Sequence, residues 1–199
     1  MKTRKINSLK VVTRVTFLAT LIIIASCNGR KDAAQEDSSS PVSQTSVRPP
    51  QMDIHTAVLT ENLEALKQHI AAGSDLNEKD PFGGSSPLIT AAVFGKTEEA
   101  RVLMEAGADL NFQNNDGSTA LITAAYFCRP EIVRMLLDKG ADKTIRNKYG
   151  ATAYESVAAP FGEVKNSYDM MGTLLGPMGL KLDYLYIEKT RPEIAAMLK

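Results

Sequence analysis

The chain returns to its own pattern every 33 or 34 residues, and that constrains its fold more than any other feature. The segments Ser86-Pro87-Leu88-Ile89-Thr90-Ala91-Ala92, Thr119-Ala120-Leu121-Ile122-Thr123-Ala124-Ala125 and Thr152-Ala153-Tyr154-Glu155-Ser156-Val157-Ala158 line up, with Pro87, Ala120 and Ala153 each 33 apart. Turn signals keep step: Gly73-Ser74-Asp75, Gly107-Ala108-Asp109 and Gly140-Ala141-Asp142. A fixed period of this size specifies a stacked solenoid in which each unit covers its neighbour's apolar face. Small residues at Ala91-Ala92 and Ala124-Ala125 let helices approach closely. Leu103, Leu136 and Leu137, with Val102, Val133 and Met135, recur at helical spacing and give each second helix an apolar face. Gly73, Gly107 and Gly140 follow as helix terminators, and Asp75, Asp109 and Asp142 are placed to bond the turn backbone. Asn115-Asp116-Gly117 and Lys148-Tyr149-Gly150 mark the tips of projecting fingers, and Phe82-Gly83-Gly84 carries the extra glycine behind the one 34-residue interval.

These residues resemble the ankyrin repeat. One unit supplies Ser86-Pro87-Leu88, Ala91-Ala92, Gly95, Glu98, Leu103 and Gly107-Ala108-Asp109-Leu110-Asn111. The next supplies Thr119, Leu121, Ala124-Ala125, Glu131-Ile132-Val133, Leu136-Leu137 and Gly140-Ala141-Asp142. A divergent first unit opens at Ile54-His55-Thr56-Ala57 and closes at Gly73-Ser74-Asp75-Leu76-Asn77. A fourth starts at Thr152 and then departs from the pattern. The resemblance implies an all-α repeat fold, an ankyrin-repeat solenoid of about four helix-turn-helix units with hairpin-like fingers and a C-terminal helical cap. The repeats are expected over 52–176, divided near 52–84, 85–117, 118–150 and 151–176. In the fourth, Pro160-Phe161-Gly162-Glu163-Val164 reads as an insertion that lengthens the connection to a second helix at Met170–Leu175. Residues 177–199 read as a capping segment. Within it Leu180–Ile187 fits strand or helix, and Thr190-Arg191-Pro192-Glu193 reads as a capping box ahead of Ile194, Met197 and Leu198. A rival reading makes that tail the recognition element itself.

The amino terminus speaks to location. Lys2, Arg4, Lys5, Lys10 and Arg14 precede the apolar run Val15–Ile24 and then Ile24-Ala25-Ser26-Cys27, the charge pattern and length of a secretory signal. The run is about half the roughly 20 residues that span a bilayer as a helix. Its last four residues resemble the bacterial lipoprotein box, which implies removal of residues 1–26 and acylation of Cys27. The alternative is an ordinary cleaved signal with an incidental cysteine. Asn28 after the cysteine favours the outer membrane in the enterobacterial sorting pattern, with periplasm or cell surface left open. Residues 27–51 are the acylated cysteine and a polar tether poor in large apolar side chains. As a flexible coil of 24 residues it spans about 27 Å on average.

Charge narrows the partners. The whole chain balances 23 basic against 23 acidic residues, and without the signal 18 basic residues face 23 acidic ones. The mature part has no basic run, which argues against nucleic acid. Membrane attachment is expected through the acyl chains.

The search for chemistry returns little. His55 is expected to hydrogen-bond within its own turn, and His69 to be partly buried. Glu98-Glu99 and Asp142 read as solvated faces and turn formers. No metal-ligand cluster, phosphate loop or nucleophile elbow is present in the sequence, so no catalytic residue, metal, cofactor or small-molecule substrate is expected. Cys128, at the position of Gly95, reads as a small packing residue, with a redox thiol as the alternative.

Partners of the resembled family lie against finger tips and inner helices. Carried onto this chain, that surface holds Phe82, Asn115, Asp116, Lys148 and Tyr149 on the fingers and Phe94, Tyr126, Phe127 and Arg129 at inner-helix ends. The aromatics would form one band, with Tyr126 and Tyr149 expected to be exposed and Phe94 and Phe127 open between exposure and packing. The function expected is a non-enzymatic protein–protein interaction module, lipid-anchored in the bacterial envelope and binding another envelope protein. The alternative is an accessory or immunity-like factor that protects, inhibits or matures one periplasmic enzyme.

Overall fold

A computed structural model describes residues 48–199. The signal segment, Cys27 and all but the end of the tether lie outside the described residues. Three helix pairs repeat in order: α1 (Ile54–Leu59) with α2 (Leu63–Ala71), α3 (Pro87–Phe94) with α4 (Thr97–Glu105), and α5 (Ala120–Tyr126) with α6 (Pro130–Asp138). They are followed by α7 (Ala153–Ala158), α8 (Phe161–Leu175), a 3-10 turn at Gly176–Met178 and α9 (Tyr184–Leu198). No strand occurs among the described residues.

Each first helix starts at a side chain that satisfies a free backbone N–H of its first turn. Asp53 accepts from Thr56 N–H at 2.9 Å, Ser86 from Ile89 at 3.3 Å, Thr119 from Ile122 at 3.3 Å and Thr152 from Glu155 at 3.3 Å. The first helices stack on one another as α1, α3, α5 and α7, and the second helices stack behind them as α2, α4 and α6. The expected core residues lie in the seam: Ala91, Ala92, Leu103, Ala124, Ala125, Val133 and Leu136 are all fully buried. After each second helix the chain turns at Gly73, Gly107 and Gly140, whose φ values of 71°, 89° and 82° are left-handed. The turn aspartates behave as read: Asp75, Asp109 and Asp142 accept from the backbone N–H of Asn77, Asn111 and Thr144 at 2.9, 2.9 and 2.8 Å. Two asparagines then tie unit to unit, Asn77 accepting from Asp109 N–H and Asn111 from Asp142 N–H, both at 2.9 Å.

The carboxyl-terminal third departs from the expectation. The link after α7 is only Ala159-Pro160, and the next helix begins at once at Phe161 rather than at Met170. The final helix opens at Asp183, which accepts from Tyr186 N–H at 3.1 Å, so Thr190–Glu193 lies inside a helix and caps nothing. Pro192 is tolerated there although an interior proline forfeits a helix hydrogen bond. Burial decides the matter. Ile187, Thr190, Arg191, Ile194 and Leu198 form one buried stripe, and α9 packs on α7, α6 and α5. The second helix of the fourth unit is therefore α9, and α8 is an insertion between the two helices of that unit. Of its 15 residues only Tyr168 is buried.

The capping box sits instead at Thr152–Glu155. Thr152 N–H donates to Glu155 Oε2 at 2.7 Å, and Arg146 Nη1 reaches the same oxygen at 2.6 Å. The Thr152 backbone and side chain, then Arg146, hold the Glu155 carboxyl at about 2 against an ordinary 4.5. The folded protein thus binds this proton more weakly than the unfolded chain. Its contribution to stability is complete above the ordinary value and fades as pH falls toward about 2.

Leu136→Ala is expected to destabilise the fold by about 2–5 kcal/mol as a core truncation, read by denaturant or thermal unfolding. An unchanged melt would mean that α6 does not face the core. Glu155→Gln is expected to lower the melting temperature at neutral pH and to flatten its fall between about 4.5 and about 2. Superimposable pH profiles for variant and parent would deny the box any role.

Candidate protein-binding surface

Each finger is closed by one side chain that gathers several backbone N–H groups. Asp80 accepts from Phe82 and Gly83 at 2.8 Å and from Ser85 at 2.5 Å. Asn114 accepts from Asp116 at 3.0 Å and Ser118 at 2.9 Å, and Asn147 from Tyr149 at 3.1 Å and Ala151 at 3.0 Å. Burial alone would raise the Asp80 carboxyl, but the N–H groups of Gly83, Phe82 and Ser85 outweigh it and hold the group below its ordinary value. The fingers are also joined to one another. Asn115 N–H donates to Gly83 O at 2.9 Å and Lys148 N–H to Asp116 O at 2.8 Å. Gly84 has φ 64°, a left-handed conformation that favours glycine, and a Cβ there would push the Asn115 side chain of the second finger aside.

This frame presents the tips. Phe82 is 85% exposed and Tyr149 78%, and Asn115, Asp116 and Lys148 are exposed between them. Phe82, Asp116 and Tyr149 occupy equivalent positions at 34 and 33 residues' separation. Lys79 lies 5.6 Å from the centre of the Phe112 ring at the base of the first finger.

The inner-helix ends are different, and here the expected continuous band is corrected. Phe94 is half-buried and Phe127 is buried. Tyr126, expected to be exposed, is half-buried because Tyr168 of α8 stacks on it at 4.7 Å with 15° between the rings. Phe127 packs edge-on against Tyr126 at 5.0 Å. Burial raises the Tyr126 hydroxyl above its ordinary value, only partly offset by the Ser167 side chain and the Arg191 charge. Arg129 is held down as well: its side chain lies over Gly95 and its Nη2 donates to Val93 O at 3.2 Å. The structure thus keeps the five finger residues together as an exposed ridge and folds Tyr126, Phe127 and Arg129 into internal contacts.

The residues weighed for chemistry are engaged in the architecture. His55 Nε2 faces Glu78 O at 3.0 Å and so carries the proton, while Nδ1 faces the Thr90 hydroxyl at 3.1 Å. It therefore holds the turn of its own unit through Glu78 and also joins the first unit to the second through Thr90. His69 is buried, with Nε2 donating to Met52 O at 2.8 Å and Nδ1 beside Ser74 Oγ at 3.0 Å. Glu99, expected with Glu98 to be solvated, is 3% exposed because its place in the first turn of α4 faces the stack. Burial, reinforced by the nearby Glu61 charge, raises its carboxyl. Cys128 is fully buried in a left-handed conformation, φ 56°, and burial pushes its thiol to about 11 despite Arg191 and Arg129. A protonated, inaccessible thiol is a packing residue. No group of metal-ligating side chains gathers among the described residues.

Asp80, Asn114 and Asn147, which fix the finger tips, are not among the residues expected at the surface. Their 34- and 33-residue spacing was the available signal.

Comparison with known proteins agrees with this architecture. Residues 54–147 match the family described as "Ankyrin repeats (3 copies)". The human DNA-binding protein RFXANK is 40% identical over 58 residues, 29% of this chain and 22% of that protein. Protein phosphatase 1 regulatory subunit 27, human and mouse, is 39% identical over 64 residues, 32% of this chain and 41% of theirs. The crystal structure of the ankyrin repeat domain of Bcl-3, a member of the IkappaB protein family, superposes with a TM-score of 0.50 at 32% identity. That match covers 52% of this chain and 45% of that one. The match spans less than half the length of each of these proteins. Residues 54–147 are ankyrin repeats, and the fold is the all-helical ankyrin-repeat solenoid.

Proposed function

We propose that this chain is a non-enzymatic protein-binding module held at the bacterial cell envelope by acylation of Cys27. Ankyrin repeats indicate a protein-interaction role. The envelope assignment rests on the charged n-region, the short apolar run and the Ile24-Ala25-Ser26-Cys27 box, and Asn28 favours the outer membrane.

The observation that carries the binding reading is the rigid finger ridge. Phe82 and Tyr149 stand 85% and 78% exposed on loops already closed by Asp80 and Asn147. Large aromatic side chains on a pre-ordered frame lose little freedom on association, and aromatics commonly dominate interface energy. Asn115, Asp116 and Lys148 supply polar contacts along the same ridge. The partner is an envelope protein rather than nucleic acid, since the mature chain carries 18 basic against 23 acidic residues and no basic run.

A second reading, an accessory factor that acts on one periplasmic enzyme, uses the same ridge. The name of the mammalian relative, a regulatory subunit of a phosphatase, favours an enzyme as partner.

Affinity capture from crosslinked envelopes tests the surface. A Phe82→Ala, Tyr149→Ala double variant with an unchanged melting temperature is expected to lose one protein that the parent retains. Identical captures would clear the ridge of the role. If the lost protein is an enzyme whose activity changes in a deletion strain, the accessory reading stands. Cys27→Ala is expected to block acyl labelling and to shift the protein out of the membrane fraction or stall its processing. Undiminished palmitate incorporation would overturn the lipid anchor.

A further inference from the structure

The inserted helix α8 is fastened to the solenoid in a way that separates it from the rest of the stack. Its start is uncapped by any side chain, it contains Gly162 and Gly172, and its ion pair Lys165–Asp169 is exposed. Glycines in a helix interior and a missing cap both weaken the element. Met170 and Leu174 point outward, 59% and 64% exposed, so its packing gain comes from one fully buried side chain, with Phe161 and Val164 partly buried beside it.

That side chain is Tyr168. Its ring lies on Tyr126, and its hydroxyl donates to Tyr126 O at 2.5 Å and accepts from Arg191 Nη1 at 2.7 Å. Phe161 and the Tyr184 hydroxyl, which donates to Asp169 at 2.6 Å, add a border contact. The fourth unit does not need α8 for its own closure. The helices α7 and α9 pack directly on each other, and Arg191 Nη2 donates to Ala159 O at 2.9 Å independently of Tyr168. With α8 lifted, Arg191 keeps this carbonyl partner and gains water, so the buried charge is not stranded.

We propose that α8 is a strap that covers the inner-helix end at Tyr126 through Tyr168 and opens as a unit while the solenoid stays folded. Opening uncovers the Tyr126 ring, at the repeat position that half-exposed Val93 holds one unit earlier. The consequence for partner access rests on the binding function proposed above. The opening itself does not.

Hydrogen exchange on the full chain, read by mass spectrometry without any partner, tests it. The amides of α8 in the parent are expected to exchange at least about tenfold faster than those of α9, as local opening of a weakly packed element requires. Tyr168→Ala is expected to raise α8 exchange about tenfold again, with α5, α7 and α9 changed by less than about twofold. Tyr168→Phe, which keeps the stack and loses the hydroxyl bonds, is expected to fall between the two. Equal exchange of α8 and α9 in the parent overturns the strap. So does a Tyr168→Ala protein that loosens throughout, fails to fold or leaves α8 exchange unchanged. Should α8 open as expected while Tyr168→Ala captures no more partner than the parent, the strap stands and the inner-helix surface is not the partner's site.

Discussion

The fold depends on stacking between successive repeat units. A pair of helices six to nine residues long buries too little surface to hold together alone. Stability arises where Ala91-Ala92 and Ala124-Ala125 allow α1, α3, α5 and α7 to approach, and where Leu66, Leu103 and Leu136 fill the seam to the second helices. Everything that a partner would meet is carried on this stack. The finger tips follow from it, because Asn115 and Lys148 bond the preceding finger only when successive units are in register.

The fourth unit shows how strongly that requirement acts. Its first helix must be covered, and the segment that covers it starts 26 residues after α7 ends, across a complete intervening helix. Arg191 makes the joint unusual. It is 2% exposed and takes carbonyl oxygens at the end of α7 as partners, with Tyr168, instead of a carboxylate. Carbonyls left free at a helix carboxyl end carry partial negative charge, which suits a buried guanidinium. The same cluster lies beside Cys128, whose left-handed backbone repeats the conformation of Glu61 and Gly95 between the paired helices of the preceding units. Position in the repeat sets that conformation, and burial rather than reactivity explains the cysteine.

The surface divides into two parts of different character. The finger ridge is exposed and fixed by local side-chain bonds to backbone N–H groups, so it is ready for contact without rearrangement. The inner-helix end is aromatic but roofed by the protein's own Tyr168. An expectation built on spacing alone merges the two, since Phe94 and Phe127 recur in phase at the inner-helix ends just as Phe82 and Tyr149 recur in phase at the finger tips.

The sequence by itself determined whatever depends on bonds between residues near in the chain. The 33- and 34-residue period located the helix pairs, the Ser and Thr starts capped their helices, the turn aspartates bonded two residues ahead, and the finger tips projected where the glycines lay. Even the longer first finger was legible from Phe82-Gly83-Gly84, closing from Asp80 to Ser85 where the others close from Asn114 to Ser118 and Asn147 to Ala151. Tertiary structure decided the competitions between distant segments. Two capping-box patterns stand in the chain, and Thr152–Glu155 became one because α7 begins there, while Thr190–Glu193 did not because the stripe from Ile187 to Leu198 gains more by running unbroken against α7 and α6. The roofing of Tyr126, the burial of Glu99 and the bond from His55 to the next unit share that cause. Each depends on which surfaces meet across units, and burial across units leaves no mark in local spacing.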